Sequence, residues 1–101
     1  MAKAQDFDAA EYLDSPEAIA AYLSEAFETG DDSVIAQALG AVARVKGMKT
    51  VAADAGVSRE NLYRALSAGG KPELSTVMKV LDALDVQLVA KPKEQDKARA
   101  A

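Results

Sequence analysis

Six residues within one stretch of seven, Ser58, Arg59, Glu60, Asn61, Tyr63 and Arg64, are the side chains in this sequence best suited to recognising a partner by hydrogen bonding. If Leu62 and Ala65/Leu66 form the inward face of a helix, these six fall on or near its outward face. Arginine can donate two hydrogen bonds to guanine and asparagine can pair with adenine, each good pair giving about 1–3 kcal/mol of discrimination. The set therefore reads as a base-contacting surface, with Arg59 and Arg64 as its main readers. Lys46, Lys49, Thr50 and Lys71 flank it and suit phosphate contacts, which orient a protein on a duplex without specifying sequence.

Other chemistries find little support. With no histidine and no cysteine there is no imidazole base, no thiol nucleophile and no thiolate metal site. Asp31-Asp32 reads as a helix cap before it reads as a carboxylate site, and Gly69-Gly70 lacks the pattern of a phosphate-binding loop. We therefore expect no enzyme activity, no cofactor and no metal. The lack of cysteine fits a reducing cytoplasm. No apolar run approaches the roughly 20 residues that cross a bilayer, and MAKAQDFDAAEYLD has no hydrophobic signal segment, so a soluble, unprocessed protein is expected.

A net charge of −4 at first opposes nucleic-acid binding, but its distribution is uneven. Residues 1–40 hold one Lys against nine Asp or Glu, whereas Arg44 to Lys71 holds six basic residues against two acidic ones. An acidic front thus precedes a basic centre, and the basic centre coincides with the candidate readers.

The elements that must position these residues are helices. Half of the residues are apolar, largely through alanine, and only five are aromatic, which favours packed helices over β-branched strands. Asp14-Ser15-Pro16-Glu17 predicts a helix start, with a stripe of Ile19, Leu23 and Ala26/Phe27 running to about Glu28. Thr29-Gly30-Asp31-Asp32 stops it and caps a second helix with Ile35, Ala38/Leu39, Val42 and Val45 inside, ended by Gly47. Two short helices follow, about 49–55 and 58–67. Ala52 is small where they cross, Gly56 permits the positive φ of a tight turn, and Val57 points into the core. Ser58 is the expected N-cap of the second. Together, 48–67 predicts a helix-turn-helix unit. A fifth helix, about Leu74 to Leu84, places Leu74, Val77, Leu81 and Leu84 on one face.

Residues 1–14 read as an arm, 15–90 as the domain and 91–101 as a frayed tail. Val86 to Val89 alternates weakly and would form a short C-terminal strand only if another molecule supplied its partner. One short recognition helix contacts few bases, so a two-fold homodimer is expected to place two of them about 34 Å apart. The fifth helix and the Val86–Val89 segment are the candidate dimer contacts.

The blocks FDAAEYLDSPEAIAAYLSEAFETGD, ALGAVARVKGM, AADAGVSRENLYRALS and STVMKVLDALDVQL, in that order, resemble the probable addiction-module antidote proteins. These are a HigA-like branch of the lambda-repressor-like helix-turn-helix superfamily. The likeness runs from about Phe7 to Leu88. It implies an all-α, five-helix domain that binds operator DNA, represses its own operon and neutralises a RelE/ParE-like toxin. By position, the family's DNA-facing residues correspond to Ser58, Arg59, Glu60, Tyr63 and Arg64. Two departures stand out: Ala68-Gly69-Gly70-Lys71 replaces an acidic pair and glycine, and Asp85 occupies a place where glycine often closes the helix. Toxins of this kind tend to be basic, so the acidic front would attract one, with Phe7, Tyr12, Tyr22 and Phe27 as apolar anchors. The competing readings are a free-standing prophage-type repressor with no toxin, and an inhibitor that acts by protein contact alone.

Overall fold

The fold is a stack of short helices whose ends are set by side-chain caps and positive-φ residues, in a computed structural model that describes residues 12–93. Five helices lie among the described residues: α1 (Pro16–Glu28), α2 (Asp32–Lys46), α3 (Met48–Ala55), α4 (Arg59–Ala65) and α5 (Leu74–Ala83). In α1, Ser15 Oγ accepts from the Ala18 N–H at 3.1 Å and Pro16 stands at the first turn, where no N–H is needed. At its other end Thr29 donates its hydroxyl to the Ala26 carbonyl at 2.6 Å. Asp31 then caps α2 twice over, accepting from Ser33 and Val34 N–H groups at 2.8 and 3.2 Å. Arg44 and Lys46 lie in the last turn of α2, where positive charge complements the helix dipole.

The turn between α3 and α4 is set by Gly56, with φ +73°. The Gly56 N–H donates to Ala53 O at 3.2 Å and the Val57 N–H to Ala52 O at 3.0 Å, the paired bonds of a Schellman motif. A side chain at Gly56 would strain this left-handed backbone. The same motif closes α5, where Asp85 N–H meets Asp82 O and Val86 N–H meets Leu81 O, with Asp85 itself at φ +61°. Aspartate here adopts the conformation that glycine would, so the departure at Asp85 is absorbed without altering the helix end.

The core is one apolar cluster to which every helix contributes: Ile19 and Leu23 from α1, Leu39 and Val42 from α2, Val51 and Ala52 from α3, Leu62 from α4, and Val80 and Leu81 from α5. No polar or charged side chain is buried among the described residues. α3 is the hub, packing against α2, α4 and α5, while α1 packs on α2. Gly40 in α2 faces the end of α4 so closely that a Cβ there would run into the Leu66 carbonyl, so the absent side chain sets how near α4 lies to α2. Ser33 Oγ adds a bond to Ala68 O at 2.8 Å, tying the start of α2 to the chain just beyond α4.

Several expectations change, among them that Ile35 and Val45 of α2 lie inside, since both are only partly buried. Leu74 is 67% exposed, because the buried stripe of α5 is Val77, Val80, Leu81 and Leu84. At about 100° per residue Leu74 falls at the edge of that stripe, on the side of exposed Met78. Val86 to Val89 is irregular, not a strand, since no second strand lies among the described residues to complete a ladder. The second helix of the 48–67 unit ends at Ala65 instead of near Ser67; Leu66 closes it through its N–H to Leu62 O. Leu13, which precedes the first cap, is buried in the same core cluster as Ile19 and Leu23. No helix among the described residues is long and apolar enough to cross a membrane.

Candidate nucleic-acid interface

α4 is held on its inner side by Leu62 and Leu66, each 1% exposed. Burying a leucine contributes roughly 1.5–3 kcal/mol, and two of them one turn apart fix both the rotation and the depth of so short a helix. Everything on its other side follows from that anchorage. Arg59, Glu60, Asn61, Tyr63 and Arg64 are all exposed. Ser58 lies just before the helix, and its Oγ accepts from the Asn61 N–H at 3.0 Å as the N-cap.

Four of the exposed side chains pair among themselves. Arg64 donates from Nη1 to Asn61 Oδ1 at 2.9 Å, an i, i+3 pair, and the Arg59 guanidinium lies over the Tyr63 ring, 6.0 Å from its centroid, an i, i+4 pair. The Asn61–Arg64 pair lines a shallow groove that continues past Ser67, Gly70 and Lys71 to Thr76. Sequence reasoning placed these residues on one face but not in pairs; their three- and four-residue spacings were the available signal.

The flanking cations sit differently from one another. Lys46 ends α2, while Lys49 and Thr50 occupy the first turn of α3, and all three are exposed. Gly47 precedes α3 and gives its first N–H groups no side-chain cap. Lys71 is exposed too, but it also borders a groove whose opposite wall holds Asp31 and Asp32.

Of the four aromatic anchors, Phe7 lies outside the described residues. Tyr12 is half exposed and meets Tyr22 edge to face, with ring centroids 6.5 Å apart and planes at 76°. Tyr22 and Phe27 are partly buried against the core. The solvent face of α1 carries Glu17, Glu25 and Glu28, of which Glu28 Oε2 lies 3.7 Å from Lys91 Nζ.

The described residues form an all-helical fold whose anchored α4 presents Arg59 and Arg64 to solvent and whose α1 carries an acidic exposed face. A family profile described as "probable addiction module antidote protein" matches residues 3–92, and the chain belongs to that family. An uncharacterized protein of Haemophilus influenzae is 49% identical over 83 residues, which cover 82% of this chain and 86% of that protein. No solved structure matches the chain. Membership supports an antitoxin role and implies a toxin partner in general.

Proposed function

We propose that the protein is the antitoxin of a type II toxin–antitoxin module that binds operator DNA as a homodimer, represses its own operon and neutralises a RelE/ParE-like toxin by protein contact in the cytoplasm. The α3–α4 pair serves as the helix-turn-helix unit of a lambda-repressor-like domain, expected at 15–90 but joined in its core by Leu13 of the preceding segment, with tail 91–101 after it. The observation that carries the reading is the exposed face of α4, where Arg59, Glu60, Asn61, Tyr63 and Arg64 stand over a fully buried Leu62. A rigidly anchored helix with hydrogen-bonding groups on its free side is what major-groove readout needs.

Around it, Lys46, Lys49, Thr50 and Lys71 serve phosphates, and the uncapped first turn of α3 adds N–H donors where a phosphate oxygen would approach. Lys49→Ala should weaken promoter and scrambled DNA alike and flatten the salt dependence by about one unit. Lys71→Ala should have a similar, sequence-independent effect. The acidic front, with Tyr12, Tyr22 and Phe27 and the more distal Phe7, serves the toxin, whose basic surface it attracts.

The deciding experiment is a titration of the protein against its own promoter and against scrambled DNA of equal length, at one stated near-physiological salt. Promoter preference by about a thousandfold or more is the expected result. Equal, weak affinity for both would remove operator binding and leave an inhibitor that works by protein contact.

A further inference from the structure

We infer that, in the two side-chain pairs on α4, Arg59 and Arg64 read the bases and Asn61 and Tyr63 are positioning residues that hold those arginines ready on the helix surface. This deepens the reading of α4 as the DNA-contacting helix and rests on it.

The argument starts from what each side chain has left to offer. To pair with adenine, asparagine uses its carbonyl oxygen and its amide N–H together. In Asn61 that oxygen already accepts from the charged Nη1 of Arg64 at 2.9 Å. One of the two lone pairs of that oxygen is thus taken by a guanidinium before a base arrives. Arg64 loses little in the same bond, because a guanidinium carries five N–H donors in a fixed fork. The pair therefore leaves the arginine competent and the asparagine occupied.

Arg59 and Tyr63 repeat the arrangement by different means. The guanidinium lies 6.0 Å from the ring centroid, and attraction to the ring face consumes no N–H donor. Both partners thus restrict a long, flexible side chain before any ligand arrives. Ordering that would otherwise weaken binding is already in place. Ser58 has a comparable duty, its hydroxyl being spent on the cap.

The test uses the full chain, its promoter duplex, a set of single-base-pair substitutions of that duplex, and a scrambled duplex. Arg64→Ala should lose about tenfold or more at one base pair. Asn61→Ala should lose about two- to tenfold at that same base pair, the worth of one hydrogen bond, and the double variant should be no worse than Arg64→Ala alone. Tyr63→Phe keeps the ring and should keep wild-type discrimination, whereas Tyr63→Ala should relax it at the base pair assigned to Arg59 by Arg59→Ala. All these positions are exposed and the Ser58 cap uses only the backbone of residue 61, so the variants should retain the wild-type helical signal.

Asn61→Ala relaxing a base pair that Arg64→Ala leaves intact would overturn the inference while promoter preference stood. So would losses that multiply in the double variant, or Tyr63→Phe abolishing discrimination. A wild-type protein with no promoter preference would instead remove the DNA-binding reading and this inference with it.

Discussion

α1 and α4 are built by the same rules and end as opposite surfaces. Each begins at a serine whose hydroxyl accepts from the N–H three residues on, and each buries leucine: Leu23 in α1, Leu62 in α4. On the outside, α1 presents Glu17, Glu25 and Glu28, while α4 presents Arg59 and Arg64 with Asn61 and Tyr63 beside them. Among the described residues Glu28 meets the exposed Lys91, on another segment, whereas the arginines of α4 are each engaged by a neighbour on the same helix. The fold is indifferent to the sign of these faces, because neither contributes to the core. What differs is preparation: α1 offers a diffuse negative field suited to steering, and α4 offers side chains with directed geometry suited to discrimination.

The largest effects should show where the two helices are alike. Leu23→Ala and Leu62→Ala each empty a site that is at most 2% exposed, and each should cost about 2–5 kcal/mol in urea unfolding. Against a total of about 5–15 kcal/mol for a domain, either loss is severe. Near-equal losses would place both helices in one cooperative core. A loss below about 1 kcal/mol for Leu62→Ala alone would mean that α4 is loosely attached, and the contrast in preparation would collapse.

Next come the outer faces. Arg59→Ala should cost about 1–3 kcal/mol of discrimination between promoter and substituted duplexes, with stability unchanged. Replacing Glu17, Glu25 and Glu28 by alanine together should leave that discrimination intact and slow toxin capture, most strongly at low salt, as read by association kinetics. If the triple variant altered DNA discrimination as much as Arg59→Ala does, the division of labour between the two surfaces would be lost.

The scaffold was legible where a residue acts on its own backbone. Ser15, Asp31 and Ser58 as caps, and Gly56 as a left-handed turn, declare themselves by type and position. Leucines at helical spacing marked the inner faces of α1 and α4. Legibility fell where a neighbour decides. α2 lies between α1 and α3, so it buries Ala36, Gly40 and Ala43 as well as Leu39 and Val42, whereas Ile35 and Val45, expected inside, are only partly buried. Size of gap, not hydrophobicity, selects those positions. Leu74 was misplaced for a related reason, since periodicity cannot tell the centre of a stripe from its edge. In the candidate site, residue types pointed to what is the exposed face of α4. The Asn61–Arg64 and Arg59–Tyr63 pairs depend on rotamers, and the Ser33–Ala68 bond on two segments 35 residues apart.

The smallest prediction sharpens the comparison most, because it changes the same atom at the same place in both helices. Ser15→Ala and Ser58→Ala each remove one cap, at 3.1 and 3.0 Å respectively, and each should cost about 1 kcal/mol of stability. At a temperature where both variants remain folded, Ser15→Ala should bind the promoter as the wild type does. Ser58→Ala should bind it more weakly, because the N–H released from the cap belongs to Asn61, whose side chain holds Arg64. Fraying of that first turn would loosen the reader without touching it. Equal promoter affinity for the two variants, with equal loss of stability, would show that the order of the α4 surface does not depend on its cap. The Asn61–Arg64 pair would then have to be maintained by the anchorage of Leu62 and Leu66 alone.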